Sequence, residues 1–129
     1  MILVDTSVWI DHLRRADHLL VERLGEGEVL GHPLVTAEIV LGSVRDRGAV
    51  ARALDELPPL RPASVPEVRR LTEAHPLHGR GIGFVDAALL ASCLLTPGTR
   101  LWTRDRRLDA LAGELGIAAP RRGHGAGLA

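Results

Sequence analysis

Short apolar runs and amphipathic stretches alternate along this chain, and their order predicts its secondary structure. Apolar runs bounded by turn residues predict three short strands, at residues 2–4, 28–32 and 100–103. Apolar positions at helical spacing predict seven helices, the first capped by Thr6 or Ser7 and reaching Leu13, the others at residues 17–24, 33–44, 47–57, 66–75, 84–95 and 105–116. Strands separated by helices indicate an α/β fold with a parallel sheet, because each crossover carries its helix over one face of the sheet.

The size of the chain indicates one soluble domain. Its 129 residues fit a single domain, which we place at residues 1–119, followed by a flexible tail at 120–129 that has no periodic apolar face. Hydrophobic residues make up 46% of the chain, but no apolar run approaches the roughly 18 residues that a membrane span needs. The chain begins without an export signal and has a single cysteine, Cys93, so we expect a cytoplasmic protein that makes no use of a membrane.

Charge is balanced in number but uneven in kind. Sixteen basic residues match sixteen acidic ones, so net charge does not direct the protein to nucleic acid. Every basic residue is an arginine, whose planar side chain binds phosphate in a bidentate manner. Arg104, Arg106 and Arg107 are clustered after the last predicted strand, which allows a local phosphate-binding surface.

Two acids follow predicted strands at their carboxyl ends. Asp5 comes directly after the first strand, and Asp105 lies two residues beyond Thr103 at the end of the last. Ligands of open parallel sheets bind beyond the carboxyl ends of the strands, so both acids are candidates for a binding site. For either acid alone, a simpler interpretation is that it caps the helix that follows.

Two further acids are the only charged residues of apolar helices. Glu38 lies in "PLVTAEIVLGSV", which is apolar around nearly its whole circumference and is therefore predicted to be buried on most sides, and Asp86 lies in "FVDAALLASCLL". Burying a carboxylate costs roughly several kcal/mol unless it is protonated, paired or bound to a cation. The alternatives are that Glu38 faces solvent beside Thr36 or Ser43, and that the helix dipole stabilises Asp86.

Taken together, the four acids predict a cation site. Two carboxylates about 4 Å apart repel each other by about 4 kcal/mol at an effective dielectric constant near 20, so a shared pocket needs a countercharge. The chain has no lysine, and its arginines fall on polar helix faces and in loops. Carboxylate oxygens favour a hard ion, Mg²⁺ or Mn²⁺, and the spacing of the histidines does not suit zinc.

These segments resemble PIN-domain ribonucleases of the VapC type, the toxin halves of bacterial toxin–antitoxin pairs. The resemblance rests on "ILVDTSVWIDHL", "TAEIVLGSV", "GRGIGFVDAALLA" and "LWTRDRRLDAL" and covers about residues 1–117. It implies a three-layer α/β/α PIN-like domain with a short central parallel sheet, which acts as a Mg²⁺- or Mn²⁺-dependent endoribonuclease on single-stranded RNA and leaves 5′-phosphate and 3′-hydroxyl ends. It also implies a homodimer and a cognate antitoxin that blocks the acidic pocket.

Site residues follow by matching positions to the family's motifs. The resemblance implies that the catalytic, metal-binding acids are Asp5, Glu38, Asp86 and Asp105. Small polar residues that support ligands or water fall at Thr6, Ser7 and Thr103. The arginines near this site are candidates for binding the RNA backbone, namely Arg80, Arg104, Arg106 and Arg107.

The sequence leaves several alternatives open. Many family members have Asn at the position of Asp105 and an acid three residues later, where this chain has Leu108, so we expect Asp105 to be the fourth acid, with Asp109 as its rival. Whether one ion binds or two is also open. Receiver domains and haloacid-dehalogenase-type phosphatases also place Asp after a first strand, but they usually need a late lysine. The alternative function is a catalytically silent PIN-like module that binds RNA or a protein.

Overall fold

The computed structural model describes residues 1–120, so most of the predicted tail, 121–129, lies outside the described residues. The described part contains every predicted element, in the order β1 (Ile2–Val4), α1 (Thr6–Arg14), α2 (His18–Gly25), β2 (Val29–Leu30), α3 (Pro33–Leu41), α4 (Arg47–Asp55), α5 (Val65–Ala74), α6 (Phe84–Leu95), β3 (Arg100–Trp102) and α7 (Arg106–Glu114). The predicted α/β class, with helices around a short parallel sheet, is confirmed. Within residues 1–120, no helix is long and apolar enough to cross a membrane.

The sheet has β1 at its centre, in the order β2-β1-β3, and both pairings are parallel. Ile2 lies opposite Val29 on one side and Arg100 on the other, while Val4 lies opposite Trp102. The strands therefore end at the same edge, and the residues that follow β1 and β3 are brought together there.

Each outer strand is also joined to a non-strand segment. On the β2 side, the Gly31 N–H donates to the carbonyl of Pro58 and the Gly31 carbonyl accepts from the Leu60 N–H, both at 2.9 Å. On the β3 side, the Leu101 N–H donates to the carbonyl of Ile117 at 2.7 Å, and its carbonyl accepts from Ala119 at 2.8 Å. These contacts satisfy backbone groups on the outer sides of the two strands.

The core is built around β1 and α6. All three residues of β1 are buried, as expected for a central strand covered on both faces. Helix α6 has an unbroken buried run, Ala87–Cys93, so it passes through the interior rather than along the surface. Trp9 and Cys93 are both buried core residues.

The predicted burial of α3 is wrong. The helix ends at Leu41, with Gly42 as its C-cap, instead of continuing to residue 44. Its inner positions Val35 and Ile39 are buried, but Leu41 is 84% exposed and Glu38 is exposed. The apolar composition suggested neighbours on all sides, whereas the helix packs mainly against α1 and α4.

Candidate functional site

Asp5 lies at the carboxyl end of the central strand and is held by its backbone and its side chain. Its N–H donates to the carbonyl of Trp102 at 2.9 Å, and the residue is only 5% exposed. Its Oδ2 accepts hydrogen bonds from Ser7 Oγ at 2.7 Å and from Thr103 Oγ1 at 2.8 Å. Oδ2 also accepts from the Ser7 N–H at 3.4 Å, so Asp5 is the N-cap of α1, and the prediction that Thr6 or Ser7 caps this helix is wrong.

The hydroxyls of Thr103 and Ser7 connect β1 to the turn after β3. Thr103 Oγ1 donates to Asp5 and accepts from the Asp105 N–H at 3.0 Å, while Ser7 Oγ accepts from the Arg104 N–H at 3.0 Å. Each hydroxyl therefore bonds both the Asp5 carboxylate and a backbone amide of the β3–α7 turn. This arrangement fixes the relative positions of Asp5 and Asp105.

Asp105 caps the last helix. Its Oδ1 accepts from the N–H groups of Arg107 at 2.9 Å and Leu108 at 3.0 Å. The simpler interpretation of Asp5 and Asp105 as helix caps is therefore correct for both residues. Capping does not compete with ligand binding here, because each cap occupies one carboxylate oxygen.

Glu38 approaches the site from α3. Its Oε1 accepts a hydrogen bond from Thr6 Oγ1 at 2.6 Å, which connects α3 to the first residue of α1. Glu38 is exposed, so burial does not explain why this acid is the only charge in its helix. The hydrogen bond to Thr6, the residue that directly follows Asp5, says more about the role of Glu38 than its burial does.

Asp86 is the third residue of α6 and is half-buried. Burial raises the pKa of Asp86 to about 6, with further increases from the negative charges of Asp5, Asp105 and Glu38, and a backbone hydrogen bond at Gly83 acts in the opposite direction. The three other predicted acids are thus close enough to Asp86 to disfavour its ionisation. The fold brings all four acids into one region.

Three of these carboxylates share a pattern in which one oxygen is fixed by the protein and the other is not. Asp5 is bonded through Oδ2, Glu38 through Oε1 and Asp105 through Oδ1. Within residues 1–120, the second oxygens of these three carboxylates have no hydrogen bond, and Glu38 and Asp105 are exposed residues. Carboxylates oriented through one oxygen and open at the other suit the binding of a hard cation.

No positive side chain among the described residues compensates this cluster. In the described part of the chain, no arginine or histidine forms an ion pair with any of the four acids. The same residues contain no group of three or more His, Cys, Asp or Glu side chains already gathered as a cation site. The donor set fits Mg²⁺ or Mn²⁺ in chemistry, and Asp5, Glu38 and Asp105 lie close enough to Asp86 to raise its pKa, although the described residues form no closed cation site.

The four candidate substrate arginines differ in their contacts. Arg104 bonds Asp17 at 2.6 Å and Asp11 at 3.3 Å, and Arg80 bonds Glu114 at 2.6 Å. Arg107 and Arg106 are exposed and form no ion pair within residues 1–120. The Arg107 side chain lies across the loop before α6, where a Cβ at Gly81 would come within 2.6 Å of its Nη1.

The rival fourth acid, Asp109, faces a different groove. That groove is lined by Asp17, Trp102 and Arg104 and has a volume of about 370 Å³. Asp105 is among the charges that raise the pKa of Asp86, whereas Asp109 is not. These observations favour Asp105 as the fourth member of the cluster.

His32 and Ser92 are buried polar residues that the sequence pattern did not single out. His32 is the N-cap of α3, and its Nε2 lies 3.0 Å from Ser92 Oγ of α6. The available signal was a polar residue directly before Pro33, since proline often occupies the first position of a helix. Nothing in the pattern of α6 distinguished Ser92 from the small apolar residues around it.

Comparisons with known proteins identify related sequences. The family model described as "PIN domain" matches residues 2–114. Two relatives, each named Ribonuclease VapC32, come from Mycobacterium tuberculosis strains CDC 1551 / Oshkosh and ATCC 25618 / H37Rv. Each is 52% identical to this chain over 118 residues, which is 92% of this chain and 95% of the relative.

Proposed function

This chain belongs to the PIN-domain ribonucleases of the VapC type, and from that premise we propose that it is the toxin of a type II toxin–antitoxin pair. Its proposed activity is Mg²⁺- or Mn²⁺-dependent hydrolysis of phosphodiester bonds in single-stranded regions of RNA. The observation that carries the proposal is the half-buried Asp86, surrounded by three acids, with no cationic side chain of residues 1–120 paired to any of them.

Asp5, Glu38 and Asp86 would hold the principal ion, and Asp105 would complete its shell through water or bind a second ion. A divalent ion bound there would lower the pKa of a bound water and neutralise charge on the phosphoryl oxygens. The hydrogen bonds from Ser7 and Thr103 hold Asp5 through Oδ2, and within residues 1–120 its second oxygen has no hydrogen bond.

Thr6 has the equivalent role for Glu38, since its hydroxyl fixes one carboxylate oxygen and leaves the other available. Asp105 is oriented by two backbone amides of α7 rather than by a side chain. Every proposed ligand except Asp86 thus has a fixed orientation before any ion arrives. Such preorganisation reduces the side-chain entropy that binding must overcome.

Arg106 and Arg107 are the best placed arginines for binding the RNA backbone, because they follow Asp105 directly and have no carboxylate partner within residues 1–120. Arg80 and Arg104 begin in ion pairs. The Arg80–Glu114 pair is exposed, and exposed ion pairs contribute about 0–1 kcal/mol, so a phosphate group can displace the Glu114 carboxylate.

A homodimer and a cognate antitoxin in the cytoplasm complete the proposal. Exposed apolar side chains support binding to protein partners, since Leu41 is 84%, Val65 57% and Phe84 52% exposed. Such residues are unfavourable in water and favourable in an interface.

The test is cleavage of a labelled single-stranded RNA by the purified chain, with Mg²⁺ or Mn²⁺ and with a chelator. We expect cleavage with either ion and none with chelator. Asp105→Asn should reduce the rate strongly, whereas Asp109→Asn, its matched control, should not. Cleavage that continues in chelator contradicts the metal mechanism, and RNA binding without cleavage under all conditions favours the catalytically silent module.

A further inference from the structure

A polar contact inside the core connects the two helices that carry Glu38 and Asp86. His32, at the start of α3, is 3% exposed, and Ser92, in α6, is fully buried. His32 Nε2 lies 3.0 Å from Ser92 Oγ, and the same oxygen accepts from the Ala63 N–H at 2.9 Å. Three segments distant in sequence therefore meet at one hydroxyl.

The hydrogen bonds determine which nitrogen of His32 carries the proton. Nδ1 accepts from the Leu34 N–H at 3.1 Å and so has no hydrogen of its own. The neutral ring must then be protonated at Nε2, which donates to Ser92 Oγ. Burial lowers the pKa of His32, which is consistent with this neutral form.

The contact lies at a similar distance from both acids along their helices. Glu38 is six residues after His32, and Asp86 is six residues before Ser92, which at 1.5 Å per residue is about 9 Å along each helix axis. The other two acids, Asp5 and Asp105, are already connected through Thr103. No comparable side-chain hydrogen bond within residues 1–120 joins Glu38 to Asp86 directly.

We propose that His32 and Ser92 are positioning residues that set the separation of Glu38 and Asp86, and through it the affinity of the acidic cluster for a divalent cation. This inference rests on the proposed function, because it concerns the same cation site. Groups that orient metal ligands from outside the coordination shell typically change metal affinity 10–100-fold when mutated. His32 and Ser92 act over a longer distance, so we expect an effect near the lower limit, about tenfold.

Isosteric variants of His32 separate its two hydrogen bonds. His32→Asn retains an acceptor near the position of Nδ1, and so the helix cap, but it loses the donor to Ser92. His32→Gln retains a donor near the position of Nε2 and loses the cap. Ser92→Ala removes the shared acceptor, and Ser92→Cys, similar in size and a weaker acceptor, is the conservative variant.

Ser64→Ala is the matched control. Ser64 caps α5 in a capping box with Glu67, so its loss destabilises a helix that carries none of the four acids. For every variant, the melting temperature and the dissociation constant for Mn²⁺ are measured on the full chain, together with RNA cleavage.

We expect His32→Asn and Ser92→Ala to weaken Mn²⁺ binding about tenfold, with Ser92→Cys in between. Ser64→Ala should lower the melting temperature and leave Mn²⁺ affinity within about twofold of wild type. If His32→Asn does not fold, the two Ser92 variants decide the question. A lower melting temperature with unchanged Mn²⁺ affinity in the Ser92 variants overturns the inference and leaves the proposed function intact.

A long-range ¹H–¹⁵N spectrum of the wild-type imidazoles provides a readout that is independent of activity. It should show His32 protonated at Nε2 and not at Nδ1, and the reverse tautomer overturns the inference even if the enzyme is active. If the wild-type chain binds no Mn²⁺ and cleaves no RNA, the proposed function fails first, and the positioning role fails with it.

Discussion

Glu67 and Asp86 occupy the same position in two different helices, yet their ionisation differs greatly. Each is the third residue of its helix, α5 or α6, where the helix dipole favours a negative charge. A hydrogen bond from Arg61, with a second from the Ser64 backbone, lowers the pKa of Glu67 to about 2. Burial and three neighbouring carboxylates raise the pKa of Asp86 to about 6.

The difference shows that helix position alone does not decide what an acid does. Glu67 belongs to a closed arrangement, in which Ser64 and Arg61 satisfy both of its oxygens. Asp86 lies among like charges, and no cationic side chain of residues 1–120 is paired with it. An acid that stabilises its own helix is explained by the fold, whereas an acid that the fold penalises needs an explanation from function.

The largest expected difference between Asp86 and Glu67 is in the rate of RNA cleavage. Asp86→Asn should reduce RNA cleavage by about 10²–10³-fold, because loss of a metal ligand removes several kcal/mol of transition-state stabilisation. Glu67→Gln, at the equivalent helix position, should leave the rate near that of wild type. Initial rates on one RNA substrate measure both, and equal losses in the two variants contradict the distinction.

The next largest effect is stabilisation by the ion. At an ion concentration 100-fold above Kd, Mn²⁺ should stabilise the wild-type fold by about 2.7 kcal/mol, or roughly 10 °C in Tm. Glu67→Gln should retain this shift, and Asp86→Asn should lose most of it. Thermal unfolding with and without Mn²⁺ provides the measurement, and a full shift in Asp86→Asn removes this residue from the ligand set.

A smaller effect is expected in the pH dependence of the metal-free protein. The pKa of Asp86 is raised from 3.8 to about 6, so the native state binds its proton more tightly and is penalised progressively as pH rises from about 4 to 6. Asp86→Asn removes that penalty, so it should be more stable than wild type above pH 6 by about 1 kcal/mol after allowance for solvent screening. Below pH 4 the advantage should vanish.

In the same experiment, the contribution of Glu67 to stability changes with pH in the opposite direction. Because its native pKa is lowered from 4.5 to about 2, its stabilising contribution is complete above pH 4.5 and is lost as pH falls towards 2. Denaturant unfolding of Asp86→Asn and Glu67→Gln at several pH values checks both pH dependences. Curves for Asp86→Asn and wild type that remain parallel from pH 4 to 7 contradict the electrostatic account of Asp86.

The smallest predicted effect comes from removing the cation beside Glu67. Arg61→Gln should raise the pKa of Glu67 towards its usual value, because the Arg61 hydrogen bond is the main cause of the lowered pKa. The pKa of Asp86 should not change. Carboxylate titration by NMR measures both residues, and a coupled change at Asp86 would show that the two helix starts are not electrostatically independent.

Much of the fold was predictable because its signals are local. Apolar runs and helical spacing specify the strands and helices, and the rule that parallel strands end at one edge places Asp5 near Asp105. The burial of α3 was not predictable in this way. An apolar helix such as Pro33–Leu41 has the same pattern whether its outer face meets the core or remains exposed, as it does at Leu41.

The detailed site was less predictable because it depends on contacts between distant residues. The hydrogen bond between Thr103 and Asp5 spans 98 residues, and the contact between His32 and Ser92 spans 60. No spacing rule shows that Arg104 pairs with Asp17 rather than pointing at substrate. The four candidate acids could be named from the sequence, whereas the fixing of one oxygen on Asp5, Glu38 and Asp105 is seen only in the folded structure.

The bonded outer strands of the sheet have a consequence for how this protein meets other chains. Exposed strand edges are templates for pairing with another chain and a common route to aggregation. Here Pro58–Leu60 lies along β2 at Gly31, and Ile117–Ala119 lies along β3 at Leu101. An extended segment of a second molecule would therefore have to displace part of the protein's own backbone to add to this sheet, which leaves helix faces as the accessible surfaces for association.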